Sequence, residues 1–433
     1  LAWLGNNGNA TTSLLFNPYM KPGWDPDFHA YDHYAFKVED TRFYYATRPY
    51  TELNYLIGSI GEQYMNLMQT QNIKPNWNAA FQFRLINSPG LYKSQNTNHA
   101  NIRLNSYYQS PNKRYGLYFI LLNNSLQSAE NGGIASDSFL NNKNSAYSAR
   151  FNIQESIGGA TARSRSFFTT KLLNGNNYTD FHLLIRQQFD LGKKDSVVTD
   201  STVIKLFYPR LRFEYTFSYG SYKYKFQDLT PDSAYYKDQY NIYLTPGDTL
   251  LYKDGWKEII NDFSIYQFPD IRNQQQFLKL GVSAQNLTYI IDTGHSRFYN
   301  FYAHAEYRNR TRNGKWDVQS NGQLYINGLN AGDYMAYISL QRLLSRKLGY
   351  LELGFQNINQ TPSLLLGHKT AFPIAYKNGL NKENITHLFA SVLIPPKKHT
   401  LEGPYYLVGT FAYLKNYYEV DQQTALLNVL LLK

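Results

Sequence analysis

The segment Leu211-Arg-Phe-Glu-Tyr-Thr-Phe-Ser-Tyr219 places an apolar or aromatic side chain at every odd position and a polar one at every even position. A strict period of two means a strand with one apolar and one polar face. Its length is about one bilayer crossing for a tilted strand, roughly 9 to 11 residues. The same alternation recurs at Phe81-Gln-Phe-Arg-Leu85, Ile102-Arg-Leu-Asn105, Phe181-His-Leu-Leu-Ile-Arg186 and Leu278-Lys-Leu-Gly-Val-Ser-Ala-Gln285. Farther on, Trp316, Val318, Leu324 and Ile326 alternate with Asp317, Gln319, Gln323 and Asn327, and Leu351, Leu353 and Phe355 with Glu352, Gly354 and Gln356. Long antiparallel strands and an all-β chain follow.

The longest apolar runs, Tyr115 to Leu122 and Leu426 to Leu432, fall far short of the roughly 18 residues a spanning helix needs. A mean hydropathy of −0.50 agrees with strands that alternate lipid-facing and lumen-facing side chains. The 40 Tyr within 16% aromatic residues exceed what a soluble core uses and suit rings stationed at two membrane interfaces. The fold class expected is a transmembrane antiparallel β-barrel. A secreted sandwich or propeller would also alternate, but its strands average about five or six residues, and no blade-length repeat is visible.

Connections come in two kinds. Ser110-Pro-Asn-Lys-Arg114, Asn313-Gly314, Gly328 to Asp333 and Leu344 to Gly349 read as short turns, whereas about 123–146, 229–256 and 359–383 read as long loops. Short periplasmic turns alternating with long external loops are the rule in such barrels. The alternation here is rough, and 155–205 resists assignment. Allowing roughly 25 to 30 residues per strand and connection gives about 14 to 18 strands. Residues 1–40 are expected to lead into a barrel of residues 41–433. Leu1 lacks a preceding leader and Asn428 to Lys433 lacks a terminal aromatic, so the chain is expected to continue on both sides.

Several strings resemble the putative porin family of Bacteroidota. They are Asn72-Ile-Lys-Pro-Asn-Trp77, Arg84-Leu-Ile-Asn-Ser-Pro-Gly90, Gln95-Asn-Thr-Asn-His99, Phe207-Tyr-Pro-Arg-Leu-Arg-Phe213, Tyr307 to Asn313, Asn327-Gly-Leu-Asn-Ala-Gly-Asp-Tyr334 and Gly349 to Asn357. The resemblance spans nearly the whole chain and includes irregular loops that strand composition alone would not produce. It implies an outer-membrane barrel and carries no catalytic motif.

The chemistry the residues permit is narrow. Without cysteine there is no thiol nucleophile, thiolate metal site or disulfide, and no Gly-x-Ser-x-Gly elbow or Walker loop occurs. No enzyme activity and no cofactor are expected. Within Trp24-Asp-Pro-Asp-Phe-His-Ala-Tyr-Asp-His-Tyr34, the side chains of Asp25, Asp27, His29, Asp32 and His33 offer metal-ligand chemistry. Their spacing matches no known ion site, so a hydrogen-bonded segment is expected there and no metal.

The net charge of +11 is scattered and carries no nucleic-acid signature; an anion-favouring lumen or basic rims explain it more simply. Candidate lumen-lining residues on polar strand positions are Arg84, Arg103, Arg186, Arg212, Glu214, Lys279 and Asp317. They form a cationic lining, or they neutralise one another and nearby carboxylates such as Glu306. Expected partners are outer-membrane lipid and lipopolysaccharide, small hydrophilic solutes and other outer-membrane proteins. Two functions stay open: passive diffusion of small solutes, and a plugged barrel serving an assembly, secretion or uptake complex. An inward-folded loop, from 123–146 or 229–256, would be the plug.

Overall fold

The computed structural model describes residues 2–3, 5–14, 18–141, 152–157, 172–198, 203–291, 294–345, 347–367, 370–372, 379–394, 405–415, 417–418, 424–425 and 428–432. Two short pairs stand apart from the main sheet, β1 (Ala2–Trp3) with β2 (Thr11–Thr12) and β18 (Tyr417–Tyr418) with β19 (Thr424–Ala425). The wall is one sixteen-stranded antiparallel meander. Its first half comprises β3 (Tyr50–Ile57), β4 (Gln63–Lys74), β5 (Trp77–Ser88), β6 (Thr97–Gln109), β7 (Tyr115–Ser128), β8 (Asn174–Val198), β9 (Val203–Asp228) and β10 (Leu250–Gln267). Its second half comprises β11 (Gln276–Ile291), β12 (Gly294–Arg310), β13 (Trp316–Gly328), β14 (Tyr334–Ser345), β15 (Gly349–Gln360), β16 (Glu383–Ile394), β17 (Tyr405–Lys415) and β20 (Asn428–Leu432). Among the described residues β3 and β20 are the outermost strands and have no ladder between them.

Every strand that alternation predicts is present, and each extends past the strictly alternating core. The run at 211–219 belongs to the 26-residue β9, and the stretch 155–205 contains the 25-residue β8. Only Phe181–Arg186 of β8 alternates; polar ends such as Asn174–Asn177 and Lys193–Ser196 hid its full extent, because outside the apolar band a strand needs no alternation. The loops read at 123 and up to 256 are likewise shorter, since β7 runs to Ser128 and β10 starts at Leu250. β8 and β9 pair with their other neighbours only over Asn176–Phe189 and Leu211–Asp228, so their hairpin projects past the wall.

Connections sort by end. One end carries 75–76, 110–114, 268–275, 311–315 and 346–348, all short; the other carries the three long connections 129–173, 229–249 and 361–382, together with the shorter 58–62, 89–96 and 329–333. That asymmetry is the pattern of periplasmic turns and external loops. Lys113 takes a left-handed φ of 59° and Gly314 one of 63° to close two of the short turns, a conformation most residues avoid. On the long-loop side, helix α1 (Ser138–Asn141) precedes α2 (Ser233–Tyr240), whose first amides bond the Asp232 carboxylate at 2.9 and 3.4 Å. The third helix, α3 (Leu364–Gly367), follows β15.

The two faces differ as the alternation requires. Phe81, Leu104, Phe189, Phe263, Ile265, Leu280, Leu324, Ile338, Leu353 and Leu388 all point outward and are exposed. At about 25 cal/mol per Å² of apolar surface, such a belt is stable only against lipid. The opposite face carries His99, Asn101, Asn124, Glu214, Ser264 and Ser283, all fully or nearly fully buried. Polar groups buried inside a barrel need partners.

Candidate functional site: the occupied lumen

The partners come from the N-terminal segment. The described residues 5–14 and 18–49 precede the wall, which begins at Tyr50, and instead of merely leading into it they lie along its polar face. At the long-loop rim the Asn6 amide donates to the Gln95 and Ser88 carbonyls at 2.7 and 3.3 Å, and Thr97 donates to the Asn7 carbonyl at 2.6 Å. His99 accepts the Gln127 amide at Nδ1, which leaves Nε2–H to donate to the Gly8 carbonyl at 2.7 Å. Gly8 has a φ of 92°, and a Cβ there would press on Thr97 and His99, so glycine is required.

Next the segment crosses the lumen sideways. Gln360 of β15 donates to the Tyr19 carbonyl at 3.2 Å, and the Gly23 amide donates to Asp333 at 3.3 Å. Trp24 sits edge-on to Tyr222 and 5.1 Å from Trp256, within a cluster that includes Leu287 and Tyr289. Asp27 accepts the Leu364 amide at 3.1 Å, and Phe28 stacks on Tyr224 at 4.1 Å. The chain then turns at a 3-10 helix, Asp32–Tyr34. Tyr31 and Tyr34 pack with Ile86, Leu126, Tyr178 and Tyr224, and the Tyr31 hydroxyl donates to Glu130 at 3.1 Å.

From there it descends lengthwise to the short-turn end. The Phe36 amide donates to Asn124 Oδ1 at 2.8 Å and its carbonyl accepts from Asn124 Nδ2 at 3.0 Å, so one side-chain amide pairs with the residue as a strand would. The ring packs on Ile120, Leu122 and Leu184. Asn105 then donates to the Arg42 carbonyl at 3.0 Å, Phe43 meets Tyr118 edge-on at 5.1 Å, and the Ala46 amide reaches Asn72 at 3.4 Å. The wall curls round this segment, whose contacts run from β4 to β15. Neither 123–146 nor 229–256 is needed for the lumen to be filled.

The cluster of acids and histidines is part of this segment. His29 bridges Asp25 at 2.8 Å and Asp32 at 3.2 Å, Tyr19 stacks on it at 4.9 Å, and Tyr19 also donates to Asp25. Asp27 points away to Leu364 and His33 is exposed. Among the described residues no group of three such side chains converges as a metal would require. Burial pulls the His29 proton off, but hydrogen bonds to Asp25 and Asp32 outweigh it and hold the pKa at about 10. Burial raises Asp27 to about 7.

All seven candidate lining residues lie on the polar face, in two groups. Arg212 grips Asp190 through Nε and Nη2 at 2.6 and 2.9 Å. Glu214 collects Lys279 at 3.3 Å, Tyr266 at 3.1 Å, Gln188 at 2.6 Å and Arg186 at 3.9 Å, and Asp317 pairs with Arg308 at 3.2 Å. Those five sit in neutralising networks. Arg84 and Arg103 are different: both guanidiniums lie over the Phe36 ring, at 4.4 and 4.5 Å, and bond the Tyr34 and Lys37 carbonyls.

The residues that matter most, Asn101, Asn124, Asn105 and His99, are not among the candidates read from the sequence, and Asn124 falls in the stretch 123–146 read there as a loop. Their signal is type: a wall facing water favours charges, whereas an Asn offers both donor and acceptor to an irregular backbone.

The comparisons agree with this architecture. A family model described as putative porin matches residues 1–433. No curated protein matches the sequence. Among solved structures, the siderophore receptor PirA from Acinetobacter baumannii is similar with a TM-score of 0.54 at 8% identity, over 90% of this chain and 58% of that one. A variant of the ferric enterobactin receptor of Pseudomonas aeruginosa gives 0.50 at 9% identity, over 85% and 53%. The chain thus spans little more than half the length of these receptors, and the likeness is one of fold. The chain belongs to the putative porin family and is a β-barrel of the bacterial outer membrane.

Proposed function

We propose that the protein is a restricted passage for small hydrophilic solutes, in which the N-terminal segment occupies the lumen and sets how much passes. The observation that carries this reading is the Asn124 clamp on Phe36, with the accompanying row of buried Asn and His side chains matched to the segment's backbone. A wall built for an open water channel has no use for fully buried amides, because a buried polar group without a partner costs about 1 to 3 kcal/mol. The reading involves no chemical step. Its charge preference rests on cations left over by the carboxylates: the Arg212–Asp190 pair cancels, whereas Glu214 meets both Lys279 and Arg186, and Arg84 and Arg103 meet none among the described residues.

Planar-bilayer recordings test it. The intact chain should give small, intermittent currents, and deletion of residues 5–46 should raise the conductance severalfold. If neither form conducts, and liposomes carrying either stay impermeable to small sugars, the passage reading is wrong. A second reading, a plugged barrel serving as subunit of a larger assembly, draws on β3, where Leu53, Leu56 and Ile57 are each more than 60% exposed. Stoichiometric co-extraction of another outer-membrane protein in mild detergent would favour it.

A further inference from the structure

We propose that Arg84 and Arg103 form an anion-binding pair in the lumen that Phe36 masks, with small oxyanions such as phosphate as the ligand class. The proposal deepens the reading of the lumen as a restricted passage and rests on it. Four observations carry it.

First, the two side chains share one spot on the wall. In the β5–β6 register Gln82 faces Arg103 and Arg84 faces Asn101, so the arginines are diagonal neighbours, about 7 to 8 Å apart at their backbones. Second, neither has a carboxylate within ion-pair distance among the described residues, whereas Arg186, Arg212, Lys279 and Arg308 on the same face all do. Asp40 acts on Arg103 only from beyond contact, and Arg42 adds a further positive charge. Third, the Nε–H of each guanidinium is buried without an acceptor, and Arg103 is 9% exposed. Burying a cation with an idle donor is unfavourable unless something satisfies it.

Fourth, what now covers the pair comes from the movable element. The Phe36 ring, the Tyr34 carbonyl and the Lys37 carbonyl all belong to the segment, while the wall offers two neutral groups, Gln82 Oε1 at 3.1 Å from Arg103 and the Tyr64 hydroxyl beside Arg84. An aromatic face and two carbonyls are weak substitutes for an anion, because charge-assisted bonds are about twice as strong as neutral ones. When the segment lifts, two forked guanidiniums face one space, and an oxyanion presents enough acceptors to engage both. The Asn101 amide beside them, now bonded to the Tyr34 carbonyl at 3.1 Å, adds a neutral donor.

The test is titration calorimetry with inorganic phosphate on the detergent-solubilised full chain, alongside bilayer reversal potentials in a potassium chloride gradient. Phe36→Ala should bind phosphate at least tenfold more tightly than the intact chain and shift the reversal potential toward chloride. Adding Arg84→Gln and Arg103→Gln in that background should abolish both effects. Because the glutamines could disturb folding, Arg84→Lys with Arg103→Lys is the companion variant: it keeps charge but not the fork, and should retain chloride preference while binding phosphate severalfold more weakly than Phe36→Ala. Phosphate binding that survives the glutamine substitutions overturns the site, as does Phe36→Ala binding no better than the intact chain. Arginine-dependent binding without current in any variant would instead overturn the passage reading and leave the site standing.

Discussion

Asn124→Ala isolates the clamp that holds the segment in the lumen. The substitution deletes two hydrogen bonds between the wall and Phe36 of the segment, at 2.8 and 3.0 Å, and Phe36 is only 6% exposed. Each such bond contributes about 1 kcal/mol net, and leaving the Phe36 amide and carbonyl without partners adds about 1 more, for a loss near 3 kcal/mol. Since 1.4 kcal/mol is a factor of ten, the docked-to-released ratio should fall by about a hundredfold. Hydrogen exchange read by mass spectrometry reports this directly, because the Tyr34 and Ala35 amides are bonded within the segment's turn at 2.9 and 3.2 Å. Their protection should drop about a hundredfold while peptides from β8 and β9 stay unchanged. A change under threefold, or equal loosening of segment and wall, would refute the reasoning.

Gly23→Ala should release the stretch around Trp24, because the φ of 92° disfavours any side chain and the new Cβ would collide with the Tyr325 hydroxyl; a cost of about 1 to 3 kcal/mol should appear as faster proteolysis within residues 18–30. Glu214→Gln strands Lys279 and Arg186, and thermal unfolding should show a loss of about 3 kcal/mol with a stronger chloride preference in bilayers. Docking should weaken with alkali. His29 has a folded pKa near 10, above its ordinary 6.5, so its contribution is full below pH 6.5 and is lost as pH rises toward 10. Asp27, raised to about 7, favours docking below about pH 4 and ceases to as pH passes 7. Protection factors of the segment, taken relative to intrinsic base-catalysed exchange, should therefore be larger at pH 5 than at pH 9, and combining His29→Gln with Asp27→Asn should flatten the difference.

Much of the wall was legible because a bilayer imposes one rule on every strand: apolar outward, anything polar inward. Leu211 to Tyr219 obeys it so strictly that the core of its strand is plain, yet only Phe181–Arg186 of β8 shows the alternation and its ends, such as Lys193–Ser196, escape it outside the apolar band. The lumen was less legible. Composition could place Arg84, Arg103 and Arg212 on the polar face, but whether a charge there meets a carboxylate or a Phe ring depends on register and on a segment folded back from residues 5–49. Asp190, opposite Arg212, lies 22 positions away in a stretch that could not be assigned. The segment itself looked like a lead-in, since Tyr31, Tyr34 and Phe36 follow no strand period. They are apolar anchors spaced for packing on the wall's interior.

The most direct test of an occupied lumen is cross-linking in native outer membranes, which the absence of cysteine makes clean. Phe43→Cys paired with Tyr118→Cys joins two rings 5.1 Å apart across segment and wall, and Phe43→Cys paired with the outward-facing Leu117→Cys is the control. A short bis-methanethiosulfonate should link the first pair nearly completely within the monomer and leave the control unlinked. Equal linking of both pairs, or of neither, would contradict the account.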